Sequence, residues 1–263
     1  WAQVLARHDM LRTAFVWQDD QGQALQVVYR QVSLPFTEYD WRGREDLGAA
    51  LDSLATEHHR QGFELARPPL LRVALVRSAE DRWHLIYTSH HILMDGWSNA
   101  LVLNEVLQAC KGQTLPPVGA AFSQHIAWLQ QQDPMAGERF WRQRLEQLDE
   151  PTHLARSVTR TAVQSAGEYG EVHCELDEEQ TRRMVAFART HQVTLNTLVQ
   201  SAWLLLLQRY TGQANVACGV TVSGRPAQSV GVEQQVGLFI NTLPLIAAAN
   251  PAQSVIDWVS TIQ

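Results

Sequence analysis

The stretch Ser89-His90-His91-Ile92-Leu93-Met94-Asp95-Gly96-Trp97-Ser98 decides how the rest of the chain is interpreted, because it joins a strand-like run to a helix-like run. Side chains alternate from Trp83 to His91, which predicts a strand whose adjacent histidines point to opposite sides. Asp95-Gly96 predicts a tight turn, and Ser98 is the expected N-cap of the helix that follows. A histidine at a strand end, beside a turn and a helix start, is well placed to act as a base in a cleft.

Composition limits the classes of protein to which the chain can belong. Its 263 residues, 45% of them hydrophobic, are enough for a sizeable core and two domains. The net charge of -6 provides no basic footprint, so we expect no nucleic-acid partner. The most apolar run, residues 202–207, is too short to span a bilayer, so we expect no membrane partner. Cys110, Cys174 and Cys218 lie far apart in apolar runs, which predicts buried, reduced thiols in a cytoplasmic protein.

The order of the periodic segments predicts an α/β fold. The first half carries two predicted hairpins separated by a helix: strands 11–17 and 25–29 around a turn at 19–22, helix 46–61, and strands 70–76 and 82–90. The second half begins with a predicted strand at 169–176 and a helix capped by Asp177. A strongly apolar helix at 194–210, ended by Gly212 and expected to be buried, precedes a buried strand at 215–222.

Three segments, in order, resemble the signatures of one acyltransferase superfamily, which includes chloramphenicol acetyltransferase and the condensation domains of non-ribosomal peptide synthetases. Arg7-His8-Asp9-Met10-Leu11-Arg12-Thr13-Ala14-Phe15 matches the condensation-domain pattern Arg-His-x-x-Leu-Arg-Thr-x-Phe. The stretch from His90 to Gly96 is His-His-x-x-x-Asp-Gly, and Trp97-Ser98 extends it in the condensation-domain form. The segment 236–244 resembles Val/Ile-Gly-x-Phe-Val/Ile-Asn-Thr. A further motif is loosely matched at 122–128, where its usual tyrosine and aspartate are replaced.

The resemblance implies two chloramphenicol-acetyltransferase-like lobes, each an α/β (α+β two-layer) sandwich, that together form a V. Residues 1–160 would be the N-terminal lobe with the histidine motif and a truncated start, and residues 161–263 a partial C-terminal lobe with a truncated end. Trp1 and Gln263 both stand inside helical patterns, so we expect a fragment that exposes apolar surface and is inactive by itself.

The resemblance also implies the reaction. Donor and acceptor peptidyl carrier proteins would each present a substrate as a thioester on 4'-phosphopantetheine, and an adenylation domain would be adjacent. The acceptor amine would attack the donor thioester and form a peptide bond. The domain itself would bind no cofactor.

The candidate residues fall into three sets. The catalytic set consists of His91, the expected base, together with His90, Asp95 and Gly96. Asp95 would hold the turn through a buried or half-buried ion pair with Arg12. The expected tunnel and cleft residues are Trp97, Ser98, Gly237, Asn241 and Thr242. The loop 237–242 should lie near the histidines across the lobe cleft, with Gly237 allowing close backbone approach and Asn241 held by backbone hydrogen bonds. A metal site with His91 and Asp95 as ligands lacks a third ligand at sensible spacing, so we predict no metal.

Other branches of the superfamily are less well matched. Cyclisation domains replace the histidines with aspartates, and epimerisation domains usually lack the Gly-Trp-Ser continuation. The residues around Asp95 favour the subtype that accepts a D-configured donor. Two alternatives stay open: a free-standing acyltransferase that uses soluble thioesters, and a non-catalytic docking domain of the same fold.

Overall fold

The computed structural model describes residues 1–18, 23–155, 172–226, 231–248 and 252–263. The chain divides into two compact units: the first comprises 1–132 and 223–241, the second 133–222 and 242–263. The boundary expected between residues 160 and 161 lies outside the described residues. The segment 223–241 was expected in the second lobe, but its contacts assign it to the first unit.

The first unit contains both helices and strands. In chain order the elements are α1 (Ala2–Arg7), β1 (Thr13–Gln18), β2 (Gln23–Val28), β3 (Phe36–Asp40), α2 (Leu47–Arg60), β4 (Leu71–Arg77), β5 (Trp83–Ser89), α3 (Gly96–Cys110) and α4 (Phe122–Gln130). β1 and β2 form an antiparallel hairpin. In a separate sheet β4 pairs in parallel with β3 and antiparallel with β5.

The two predicted hairpins of this unit are confirmed, and the turn at 19–22 lies outside the described residues. β1 starts later than expected, because Asp9–Arg12 forms a 3-10 turn. β3 escaped prediction because four of its five residues are exposed, so it has no alternation of apolar and polar positions.

The core of the first unit fixes the segment between β5 and α3. Leu71 and Val73 of the central strand β4 are almost completely buried, as expected for a strand with neighbours on both sides. Leu93 and Met94, within the histidine motif, are 0% and 3% exposed in the same cluster. Burying both side chains anchors the motif, at about 1.5–3 kcal/mol for each apolar side chain.

The second unit contains α5 (Pro134–Leu145), α6 (Glu178–Thr190), α7 (Leu195–Thr211), β6 (Asn215–Val222), β7 (Asn241–Ala248) and α8 (Val255–Ile262). β6 and β7 form a two-stranded sheet. Asp177 caps α6, as predicted, and the structure adds a capping box with Gln180. Thr194 caps α7, and Gly212, at φ 73°, ends it in the left-handed region.

Three expectations for the second half need correction. β6 is not a buried strand, because Val216 is its only buried residue and Gly219 and Thr221 are exposed. Residues 172–176 form no strand, and 169–171 lie outside the described residues. α7 is not fully buried: Leu204 and Leu207 are in the core, but Trp203 and Tyr210 are 46% and 59% exposed. A helix that is apolar all round buries only the face that meets neighbouring elements, and the pattern could not identify that face.

The cysteines are free, but the prediction that they are buried is wrong. Cys110 and Cys174 are exposed, and Cys218 on β6 is half-buried. Cys110 is the last residue of α3, beyond the part of the helix that packs into the core. Within the described ranges, no helix is both long enough and apolar enough to cross a membrane.

Candidate functional site

The two histidines lie on a turn between β5 and α3, and they differ in hydrogen bonding and exposure. β5 ends at Ser89, and His90 is the N-cap of a 3-10 turn, His91–Leu93. The His90 backbone N–H donates to the Leu70 carbonyl at 2.9 Å. The strand therefore stops before both histidines, so the predicted strand alternation does not extend to them.

The His90 ring is held in place. Its Nδ1 accepts a hydrogen bond from the Ile92 N–H at 3.1 Å, which leaves Nε2 as the protonated nitrogen of the neutral ring. The ring also meets Phe63 in an edge contact, with centroids 6.4 Å apart. His91, by contrast, is exposed. Of the pair, His91 is therefore the more accessible to solvent or a substrate, and His90 is half-buried.

Asp95 is 2% exposed and is the N-cap of α3, a role that the sequence assigned to Ser98. Its Oδ1 accepts from the Ser98 N–H at 2.8 Å, and its Oδ2 accepts from the Phe239 N–H at 3.2 Å. Its own N–H donates to the Gly237 carbonyl at 3.2 Å. Asp95 thus ties the start of α3 to the loop that precedes β7.

Ser98 is completely buried and uses its hydroxyl in the same connection. Its Oγ donates to the Gly237 carbonyl at 2.8 Å and accepts from the Gly237 N–H at 3.1 Å. A third bond comes from Nη2 of Arg225 at 2.8 Å. One donated and two accepted bonds exhaust the capacity of a hydroxyl, so Ser98 has no hydrogen-bonding group left for a substrate.

The ion partner of Asp95 is Arg225, and the predicted pair with Arg12 is wrong. Nη2 of Arg225 lies 3.3 Å from Oδ1 of Asp95, and both side chains are buried, 9% and 2% exposed. Arg12 instead pairs with Asp9 at 2.6 Å and donates to the carbonyls of Tyr29 and Arg30. The 3-10 turn at residues 9–12 places Arg12 beside Asp9, three residues earlier.

Arg225 is fixed by more than its ion pair. Its Nη1 donates to the carbonyls of Val232 and Gln235, the latter at 3.1 Å. Its guanidinium lies over the Phe239 ring, 3.9 Å from the centroid. We call Asp95, Ser98, Arg225, Gly237 and Phe239 the Asp95 network.

Burial and partners set the charges of the network. Burial raises the pKa of Asp95, but the hydrogen bonds from Ser98 and Phe239 and the charge of Arg225 outweigh it, so the net pKa lies below the ordinary value. Burial lowers the pKa of Arg225, while Asp95 and Glu233 oppose that shift. A guanidinium stays charged in proteins, so the pair is ionised at neutral pH.

Two glycines permit the network to close. A Cβ on Gly237 would stand 2.1 Å from Cδ2 of Phe122, so this glycine allows its backbone to lie close to that ring. Gly224, at φ +60°, would place a Cβ 1.8 Å from the Phe239 carbonyl oxygen. A side chain at either position would displace the backbone next to Arg225 or Asp95.

The other predicted site residues are less constrained. A Cβ on Gly96 would meet no heavy atom within 4 Å, so this glycine borders open space. Trp97 is 61% exposed, and its indole N–H donates to the Glu233 carbonyl at 2.7 Å. Asn241 begins β7 with an exposed side chain, and Thr242, in the second unit, packs near Gly219. The structure thus brings Trp97 to the same loop as the Asp95 network, while the tunnel roles of Asn241 and Thr242 stay predictions.

Arg225 is the functional residue that sequence reasoning missed. The segment Ser223-Gly224-Arg225-Pro226 was interpreted only as the start of a loop. A buried aspartate needs a counter-charge, and an arginine in a turn close to the third motif was the available indication. Within the described residues, no cluster of three or more His, Cys, Asp or Glu side chains could hold a metal ion.

The arrangement can present one accessible imidazole on a rigid turn. Bonds from the Asp95 network and from the His90 cap hold both ends of that turn, so His91 needs little reorganisation to meet a substrate. An imidazole in this position can accept or position a proton, which is the contribution that acyl transfer to an amine requires.

The fold and this histidine turn define a class of acyltransferase. Along its whole length, residues 1–263, the chain matches the family described as Condensation domain, and it belongs to that family. Condensation domains of non-ribosomal peptide synthetases are acyltransferases that form amide bonds. The family inferred from the three motifs is therefore confirmed.

Curated relatives come from large synthetases. The chain is 40% identical over 271 residues to a linear gramicidin synthase of Brevibacillus parabrevis, covering 100% of this chain and 4% of that protein. It is 37% identical over 270 residues to chondramide synthase cmdD of Chondromyces crocatus, covering 100% of this chain and 7% of that protein. The chain thus spans a small fraction of these relatives.

Solved structures share the fold. The first condensation domain of the calcium-dependent antibiotic synthetase, in complex with a substrate analogue, superposes with a TM-score of 0.72 at 21% identity, covering 99% of this chain and 63% of that chain. A condensation domain that mediates chain release from the enacyloxin polyketide synthase gives a TM-score of 0.76 at 24% identity, covering 99% and 52%. These matches confirm the predicted mixed α/β fold of chloramphenicol-acetyltransferase type.

Proposed function

We propose that this chain, as part of a complete domain, catalyses peptide-bond formation in non-ribosomal peptide synthesis. The observation that carries the proposal is the contrast within the motif: His91 is exposed, while His90 and Asp95 are fixed by hydrogen bonds. A protein that used the motif only to stabilise its fold would have no need of an accessible imidazole at this turn. The identity to peptide synthetases supports the same activity.

The proposed step is an aminolysis of a thioester. The amine nitrogen of the acceptor attacks the donor carbonyl carbon, so a C–N bond forms and the C–S bond breaks. His91 accepts or positions the proton that the nitrogen loses, and the donor's thiol leaves on its carrier arm. The turn holds the imidazole in a fixed position. A base positioned in this way typically contributes about 10²–10⁴-fold to the rate.

The partners follow from this reaction. Donor and acceptor peptidyl carrier proteins would deliver both substrates on 4'-phosphopantetheine, and an adenylation domain would be adjacent. The domain would lie in the cytoplasm, with Trp97, Asn241 and Thr242 lining the substrate route. The synthetase relatives support this context.

The test uses the complete domain that contains this chain, with two loaded carrier proteins, and measures dipeptide by mass spectrometry. We expect wild type to form dipeptide and His91→Ala to lose about 10²–10⁴-fold of the rate while melting like wild type. His84→Ala is the matched control, because His84 lies on β5 and hydrogen-bonds Ser78 at 2.9 Å, outside the turn. Equal rates for both variants would refute the role of His91. Turnover of soluble thioesters but not of loaded carriers would favour a free-standing acyltransferase. No turnover of either substrate would favour a non-catalytic docking domain.

A further inference from the structure

His125 is a buried titratable residue that the proposed chemistry does not use. It lies on α4, is 9% exposed, and stands among aromatic rings. Its ring centroid is 5.5 Å from that of Phe122, 5.8 Å from that of Trp128 and 4.7 Å from that of Phe239. The stack with Trp128 is nearly parallel, at 19°. An apolar cluster of this kind favours an uncharged imidazole, because burying a charge without a counter-ion is costly.

The cluster connects His125 to the Asp95 network through one ring. Phe239 has the Arg225 guanidinium 3.9 Å from its centroid, and its backbone N–H bonds Asp95. A protonated His125 would bring a second positive charge to the ring that already holds Arg225. Arg225 is the charged group that acts on His125, and Asp95 and Glu233 act in turn on Arg225. Among the residues that the structure describes, no carboxylate directly compensates an imidazolium there.

We propose that His125 is a positioning residue, which supports the Asp95 network through Phe239 only while its imidazole is neutral, so that acid loosens the network and slows the reaction. The inference rests on the proposed function, because the network holds the turn that carries His91. Burial lowers the pKa of His125, and the charge of Arg225 lowers it further. His125 therefore binds a proton more tightly when the Asp95 network is loosened than when it is intact. Acid favours the loosened state, beginning below the ordinary histidine value of about 6.5.

Amide hydrogen exchange measures the network without an activity assay. In the complete domain, we would follow the peptides that contain Ser98 and Phe239 at about pH 7.5 and about pH 5.5, corrected for intrinsic exchange. Wild type should lose protection by up to about tenfold for each pH unit below the ordinary histidine value, which is the limit for one linked proton. His125→Phe keeps an aromatic ring and cannot be protonated, so it should lose much less. His191→Phe is the matched control, because His191 contacts an aromatic ring, Phe187 at 4.4 Å, in the second unit; it should behave like wild type.

The decisive comparison is between wild type and His125→Phe. Equal acid-induced loss of protection in these two proteins would overturn the proposal. Dipeptide formation should show the same contrast, with a steeper fall between the two pH values in wild type. If no variant forms dipeptide at the higher pH, the proposed function fails, while the exchange data still decide the role of His125. If His125→Phe does not fold, deuterium exchange at the imidazole C2 position reads the His125 titration in unmodified protein. A midpoint at or above the ordinary value would then refute the proposal.

Discussion

Replacing Asp95 with asparagine removes the charge at the centre of the network, together with one of the two acceptor oxygens that bond Ser98 and Phe239. Asparagine is as good an N-cap as aspartate, so the cap of α3 should survive. The charge is lost, however, and Arg225, 9% exposed, remains without its counter-ion. Removing one partner of a buried pair typically costs about 3–5 kcal/mol, and the low exposure of both side chains argues against a large discount for screening. We expect Asp95→Asn to lower the free energy of unfolding by that amount.

The matched control is Asp9→Asn, which also removes a carboxylate that pairs with an arginine. Asp9 is 43% exposed, and Arg12 keeps its bonds to two carbonyls, so the expected loss is about 0–1 kcal/mol. Urea unfolding of both variants in the complete domain gives the two values. Adding Arg225→Gln to Asp95→Asn should cost less than the sum of the single changes, because the uncompensated charge is then gone. Similar losses for Asp95→Asn and Asp9→Asn, or strictly additive losses in the double variant, would refute the reasoning.

Two further predictions concern backbone fit and acid stability. Gly224→Ala should cost about 2–5 kcal/mol, from the left-handed backbone and the collision with the Phe239 carbonyl. Gly43→Ala, at φ +76° with no atom nearby, should cost only the backbone part of about 1–2 kcal/mol, and equal losses in urea melts would contradict the collision. Urea melts at a series of pH values should show the free energy of unfolding falling first below about pH 6.5. Burial, and then the charge of Arg72, lower the pKa of His58 in the folded protein. The unfolded chain therefore binds the proton at a higher pH than the folded protein does, so acid favours unfolding. The free energy of unfolding should fall again below about pH 4, because the pKa of Asp95 is lowered and its stabilising charge is lost as the pH drops through the folded value; a flat profile above pH 4 would contradict the first stage.

The sequence by itself determined several local elements and the family. Alternation predicted both hairpins of the first unit, and the capping residue Asp177 predicted where α6 begins. These features depend on residues close together in the chain, so a linear pattern contains them. The three motifs likewise identified the condensation family, which the match over residues 1–263 confirms.

Only the tertiary structure decided which partners the motif residues have. Asp95 and Arg225 are 130 residues apart, and nothing in the local pattern distinguishes Arg225 from Arg12 as the counter-ion. Ser98 was expected to cap a helix, but the loop at Gly237 takes its hydroxyl and leaves the cap to Asp95. Buried polar groups must find partners wherever the folded chain brings donors and acceptors together. That requirement is met between distant segments, so the network that holds His91 became visible only in the folded protein.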